Sequence, residues 1–167
     1  SNNSCGARSI AYGNMVHNVL AIDAVSGDGQ ARRFGPMQED SDLHRRLRAL
    51  YAREKDEIAA RFPKVLRRVA GYNLDHLGPP HENSAHLLVG SEGTLAWSER
   101  LHLKLSPLPA HRVLGVCHFP KFHKAMDSAQ HLVKLGPTAV ELVDRTMIEL
   151  ARANPAFRPV IEAALIA

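Results

Sequence analysis

The sequence predicts an α+β fold, and three patterns carry that reading. An apolar-rich stretch leads into the turn signal Asp28-Gly29, an apolar period near 3.6 runs from Ser41 to Phe62, and a period of two runs from Leu95 to Leu105. A hairpin, a long helix and a strand therefore share the first part of the chain, and a strand–helix–strand–helix order follows it.

Val19 to Val25 reads as a strand, and Asp28-Gly29 is among the strongest short hairpin signals, returning the chain through Gln30 to Phe34 before Gly35-Pro36 stops it. In the helix, Leu43, Leu47, Leu50, Tyr51 and Ile58 recur at three- and four-residue steps or their sum, with Ser41 or Asp40 placed to cap the start. Gly71 to Pro80 is loop. The apolar run Leu87-Leu88-Val89 then breaks at Gly90-Ser91-Glu92-Gly93-Thr94 and resumes at Leu95, which predicts a tight strand-to-strand corner. Beyond it Leu95, Trp97, Leu101, Leu103 and Leu105 are expected on one half-buried face, with Glu99 the exception.

Pro107 and Pro109 mark a boundary, giving domains 1–108 and 109–167. In the second, His111 to His118 and Thr138 to Val143 read as strands. Lys121 to Leu135, closed by Gly136-Pro137, and Arg145 to Ala153, opened by Asp144, read as helices. That order is an incomplete ferredoxin-like βαβα unit whose open sheet edge invites pairing with another chain or another copy. Val160 to Ile166 reads as a last helix. Its abrupt stop, and the turn-forming string that opens the chain, suggest a piece of a longer protein.

Composition narrows the function classes. With 167 residues, a formal charge of +4 and ten histidines, the chain is long enough for a core and only modestly basic. The arginines and lysines between Arg45 and Arg68 are interrupted by Glu54, Asp56 and Glu57 and carry no aromatic platform, so a solvated helix face is preferred to a nucleic-acid-binding module. Cys5 and Cys117 sit in no metal or redox spacing and read as free thiols. No apolar run approaches a membrane span, and a cytoplasmic location is expected. His76, His81 and His86 recur at five-residue steps, which share no helix face and alternate across a strand, so no metal site is expected.

The glycines around Ser91-Glu92 permit torsions closed to other residues and leave the main chain open to a ligand. An ordinary turn is the competing reading. Glu92 would repel a phosphate, so its expected role is to accept from turn N–H groups or a ribose hydroxyl.

Three segments carry a family resemblance: Asn2-Asn3-Ser4-Cys5-Gly6-Ala7-Arg8-Ser9 with Tyr12-Gly13, then Leu88 to Leu95, then Leu103-Lys104-Leu105-Ser106-Pro107. Together they resemble the second subdomain of the FAD-binding module in the FAD-linked oxidases of the vanillyl-alcohol oxidase and p-cresol methylhydroxylase (PCMH) type. The glycolate oxidase and D-lactate or D-2-hydroxyglutarate dehydrogenase branch is the nearest in motif. Ala139 to Asp144 resembles the start of that family's C-terminal substrate, or cap, domain.

The resemblance implies a mainly antiparallel FAD subdomain followed by a partial cap. It also implies cofactor contacts from Asn2, Asn3, Ser4, Gly6, Ala7, Arg8, Tyr12 and Gly13, and from Gly90, Ser91, Glu92, Gly93 and Thr94. The implied enzyme oxidises a small 2-hydroxy acid by hydride transfer to flavin N5. The family's first FAD subdomain and the rest of its cap have no counterpart in this sequence, so the chain alone is expected to bind FAD weakly or not at all and to have no turnover. No catalytic residue is assigned, since His17, His118 and His123 lack a supporting constellation. The alternative from another class is a non-catalytic assembly subunit completed by a partner chain.

Overall fold

The computed structural model describes residues 2–65 and 67–165. The chain forms two compact units, Ser1–Ser106 and Pro107–Ala167.

In the first unit a helical turn, α1 (Ser9–Tyr12), and a tighter turn at Met15–His17 lead into β1 (Val19–Ser26). β1 is the central strand of a three-stranded antiparallel sheet, flanked by β2 (Ala31–Phe34) and, from later in the chain, a third strand. The β1–β2 hairpin turns at Asp28-Gly29 as its sequence predicts, with Ser26 N–H donating to Gln30 O at 3.0 Å and Gly29 at φ +78°. Arg32 closes on Asp28 from the strand side at 2.6 Å.

The long helix α2 (Asp42–Arg61) starts where the capping signal puts it: Ser41 is extended and its hydroxyl accepts from His44 N–H at 3.3 Å. Its inner face buries His44 and Ile58 and half-buries Leu43, Leu47, Leu50 and Tyr51. Arg45 pairs with Asp42, Arg53 with Glu54 and Arg61 with Glu57 on the outer face, so much of its positive charge is locally compensated. A short turn at Leu74–Leu77, helical turn α3 (Ala85–Leu88) and strand β3 (Ala96–Leu103) complete the unit. The core lies between sheet and loops and is built from Val16, Val19, Ile22, Phe34, Leu88 and Val89 with their neighbours.

Two expectations are corrected here. Leu87-Leu88-Val89 does not enter the corner as a strand: Ala85–Leu88 is helical and only Val89 is extended. The Leu95 to Leu105 stripe is not one half-buried face either. Asp23 pairs with Arg100 and Ala24 with Ser98, which leaves Glu99 unopposed as a bulge. Trp97 accordingly faces with Val25 and Leu101 with Ile22, on opposite sides of the sheet, and Trp97 is 66% exposed. The break in the alternation at Glu99 is the sequence mark of that bulge.

The second unit contains α4 (Phe122–Leu132), α5 (Arg145–Ala153) and α6 (Arg158–Ala164). α4 runs into a tighter turn at Val133–Leu135 and ends at Gly136 in the left-handed conformation. α5 is capped by Asp144, whose carboxylate accepts from Met147 N–H at 2.8 Å. The end of the expected last helix, Ile166, lies outside the described residues. The strands expected at His111–His118 and Thr138–Val143 do not form: among the described residues of this unit no segment enters a β-ladder. A β-prone sequence becomes a strand only when a neighbour takes its N–H and C=O groups, and neither segment has such a neighbour. No helix among the described residues is long and apolar enough to cross a membrane.

Candidate functional site

The opening loop and the Gly90–Thr94 corner come together. Asn3 is 2% exposed, and its Oδ1 accepts from the buried Val16 N–H at 3.0 Å. A Cβ built on Gly90 would lie 3.5 Å from the Asn3 Cβ and 3.2 Å from Gly71 O, so the loops meet through a residue without a side chain. Gly90, Glu92 and Gly93 all have positive φ, at +87°, +51° and +84°. The glycine signal at Gly90 and Gly93 therefore marks real left-handed backbone, with Glu92 forced into the same region between them.

Residues of the two segments divide by what they touch. Asn3, Ser91, Gly90 and Gly13 hold the wall together from inside. Ser91 is buried, its hydroxyl donating to Leu88 O at 2.8 Å, and Gly13 packs so closely on His17 that a Cβ would lie 2.5 Å from Nδ1. Thr94 Oγ1 donates to Ser91 O at 2.6 Å and meets Tyr72 Oη at 2.8 Å. Asn2, Ser4, Gly6, Arg8, Tyr12, Glu92 and Gly93 are exposed, and Ala7 is half-buried. Glu92 accepts no turn N–H among the described residues. Nothing lies within 4 Å of a Cβ placed on Gly6 or Gly93, so the main chain is open to solvent at both. Ser9 Oγ is buried beside the opening loop without a hydrogen-bond partner.

Two residues that sequence reasoning passed over organise this wall. Asn73, 2% exposed, donates from Nδ2 to Val89 O at 2.8 Å and His86 O at 3.2 Å, fixing the approach to the corner. Arg68 does not belong to the solvated basic face that the charge pattern predicts. Its carbonyl instead accepts from Asn3 and Asn14 side chains, at 3.4 and 3.3 Å, and its guanidinium binds Asp75 at 2.6 Å and lies over the Phe62 ring. The Gly71-Tyr72-Asn73 turn was the available signal for Asn73; Arg68 had none beyond its charge.

The structure also overturns the spacing argument about the histidines. Chain reversal after Leu77, closed by Asn83 N–H donating to His76 O at 3.3 Å, brings His76, His81 and His86 side by side. Their steps of five share no face only if one regular element carries them, and none does. Burial holds the His76 imidazole at about 4 and also lowers that of His86. His17, by contrast, caps its own turn, Nδ1 accepting from Asn14 N–H at 2.9 Å.

A buried histidine–serine contact, His44 Nε2 to Ser84 Oγ at 3.1 Å, resembles a nucleophile with its base. Ser84 is fully buried and its hydroxyl already donates to Gly35 O and accepts from Gly35 N–H, so this contact is structural.

Comparison with known proteins places these features. Residues 108–167 match the family described as FAD linked oxidases, C-terminal domain. The chain is 28% identical to the D-2-hydroxyglutarate dehydrogenase of Escherichia coli (strain K12) over 172 residues, covering 94% of this chain and 17% of that protein. It is 30% identical over 145 residues to a probable mitochondrial D-lactate dehydrogenase of Danio rerio, covering 86% of this chain and 22% of the other. A D-lactate dehydrogenase of Archaeoglobus fulgidus is 26% identical over 149 residues, 89% of this chain and 25% of the other. The chain thus spans 17% to 25% of the length of these relatives. No solved structure matches significantly. Residues 108–167 thus match the C-terminal domain family of the FAD linked oxidases, and the relatives' alignments, over 86% to 94% of this chain, extend the similarity through the glycine corner.

Proposed function

We propose that this chain forms one wall of an FAD site, followed by the start of a substrate domain, in an enzyme that oxidises a D-2-hydroxy acid. The observation that carries the reading is the meeting of the opening loop with the Gly90 corner, which leaves open main chain at Gly6 and Gly93 on the segments that resemble the family's FAD module. The residues fit a bound dinucleotide. Glycines allow close approach, Ser9 Oγ is a buried polar atom in want of a partner, and Arg8 adds positive charge at the loop.

On this reading Asn2, Ser4, Gly6, Ala7, Arg8, Tyr12, Glu92, Gly93 and Thr94 face the cofactor. Glu92 takes a ribose hydroxyl rather than the pyrophosphate, since its carboxylate repels phosphate. Asn3, Gly13, Gly90 and Ser91 act by shaping the wall. Bound flavin would supply the hydride acceptor; this chain's residues bind and orient it. The substrate class follows the relatives, which are named as D-2-hydroxyglutarate and D-lactate dehydrogenases.

The test is flavin retention. The chain is incubated with excess FAD, freed of unbound flavin and examined by absorbance, alone and with the preceding FAD subdomain of a relative supplied in trans. Retention is expected only in the second case, and Gly6→Leu, which fills open space on the wall, should abolish it without changing the circular dichroism. Retention unaffected by Gly6→Leu would sink the reading.

A second reading, a non-catalytic assembly subunit, is favoured by the apolar residues that α4 to α6 leave exposed, among them Met126, Met147, Leu150 and Val160. Co-purification of the chain with a separately encoded FAD subdomain would select it.

A further inference from the structure

We propose that His76, His81 and His86 form a three-imidazole site for a divalent transition-metal ion, with Zn²⁺ the best chemical fit. One ring nitrogen from each residue lies within 4.8 Å of the other two. The closest pair, His76 Nδ1 and His86 Nδ1, is 3.1 Å apart. Two imidazole nitrogens on one tetrahedral Zn²⁺, each at about 2.0–2.1 Å, stand about 3.3 Å from each other. The buried pair is therefore within a few tenths of an ångström of ligand spacing, and the remaining adjustment falls on His81.

His81 is able to make it. It is the exposed member, stacked on His76 with ring centroids 4.0 Å apart, and its side chain has solvent beside it in which to turn. Of the two buried rings, His86 is oriented from behind by a hydrogen bond. His86 Nε2 lies 3.2 Å from Val19 O, an acceptor that requires this nitrogen to carry the proton and so leaves Nδ1 with its lone pair. His76 Nε2 lies 4.0 Å from Asp75 Oδ2, and Asp75 is itself held by Arg68. For His86 this ring N–H backed by a carbonyl is the arrangement that fixes tautomer and direction in histidine metal sites.

The chemistry of the donors selects the metal. Three neutral imidazoles suit Zn²⁺, Cu²⁺ or Ni²⁺ and give little hold on Mg²⁺ or Ca²⁺, which take oxygen ligands. With His81 at the surface, a fourth position stays open to water. The site sits on the segment that Asn73 ties to the Gly90 corner through His86 O and Val89 O, so an ion there would clamp the loop leading to that corner. The proposal depends on these histidines alone and not on the reading of the corner as a flavin wall.

The experiment titrates the tag-free 167-residue chain with Zn²⁺ against a chromogenic chelator, and with Co²⁺ followed by visible absorption. One equivalent should bind, with the intense d–d bands of a four-coordinate ion. His81→Ala, a surface change, should weaken binding at least about tenfold, while His123→Ala in the second unit leaves it unchanged. Because His76 and His86 are buried, their part is read in the unmodified chain: Zn²⁺ should shift the ring nitrogen resonances of three histidines and no others. Absence of stoichiometric binding, binding that His81→Ala leaves intact, or equal weakening by His123→Ala would overturn the assignment.

Discussion

Asn3 and Gly90 hold the opening loop and the glycine corner against each other, a Cβ on Gly90 falling 3.5 Å from the Asn3 Cβ. Gly90 sits at φ +87° with Gly71 O only 3.2 Å from where a Cβ would be. Gly90→Ala therefore meets both backbone strain and a carbonyl that cannot move aside cheaply, and should lower stability by about 1–3 kcal/mol. Gly6→Ala is the contrast, since open space surrounds it, and should fall within about 0.5 kcal/mol of the parent sequence. Urea unfolding of the two variants separates them; equal midpoints would contradict the packing described.

Asn3 and Asn73 are buried and fully engaged, so shortening either leaves backbone groups without partners. Asn3→Ala orphans the Val16 N–H, and Asn73→Ala orphans the carbonyls of His86 and Val89. Each should cost about 1–3 kcal/mol. Asn2→Ala, next door but exposed, should cost almost nothing. Denaturation midpoints that rank Asn2 with Asn3 would show that the loop is not anchored this way.

Gly78 is required for room rather than for torsion. A Cβ there would fall 2.1 Å from the Tyr51 ring, which packs from α2 onto the turn at Leu74–Leu77. Gly78→Ala should destabilise by about 1–3 kcal/mol through overpacking. The loss should shrink when Tyr51 is also made smaller, because the two positions touch. A double-mutant cycle on Gly78→Ala and Tyr51→Leu measures this, and strict additivity would refute it.

What the sequence disclosed follows from how local each cause is. The β1–β2 hairpin, the Ser41 cap of α2 and the Asp144 cap of α5 are set by neighbours within a few residues, and all three stand where the sequence puts them. The wall was half legible: glycines announced the corner, but Asn73 and Arg68 act through partners across the loop that no spacing reveals. The histidine cluster was hidden for the same reason, since a chain reversal sets it. The β-like stretches at His111–His118 and Thr138–Val143 misled because strand formation depends on a neighbour, not on composition alone.

Acid should weaken the first unit in a window set by its buried histidines. His44 Nδ1 accepts from Gln38 N–H at 2.8 Å and its Nε2 donates to Ser84 Oγ, so the ring is neutral with no free site for a second proton. Burial, with Arg48 nearby, lowers its pKa, and burial also lowers those of His76 and His86. His76 further faces His81, Asp75, His86 and Arg68. In the unfolded chain all three rings titrate near 6.5. Above that value neither state holds the extra protons and stability is at its full level. As pH falls below it the unfolded state binds protons that the folded state refuses, so stability declines, and His76 stops contributing to the decline only near 4, where it protonates in place. A second loss begins below 3.8, as Asp23 and Asp28 are protonated and release His102 and Arg32 respectively, with Asp28 holding its charge down to about 2. Urea midpoints measured from about pH 7 to pH 4 should fall monotonically, with unfolding taking up protons throughout. A midpoint that is flat or rises on acidification across that range would show that these imidazoles are not buried in the neutral form.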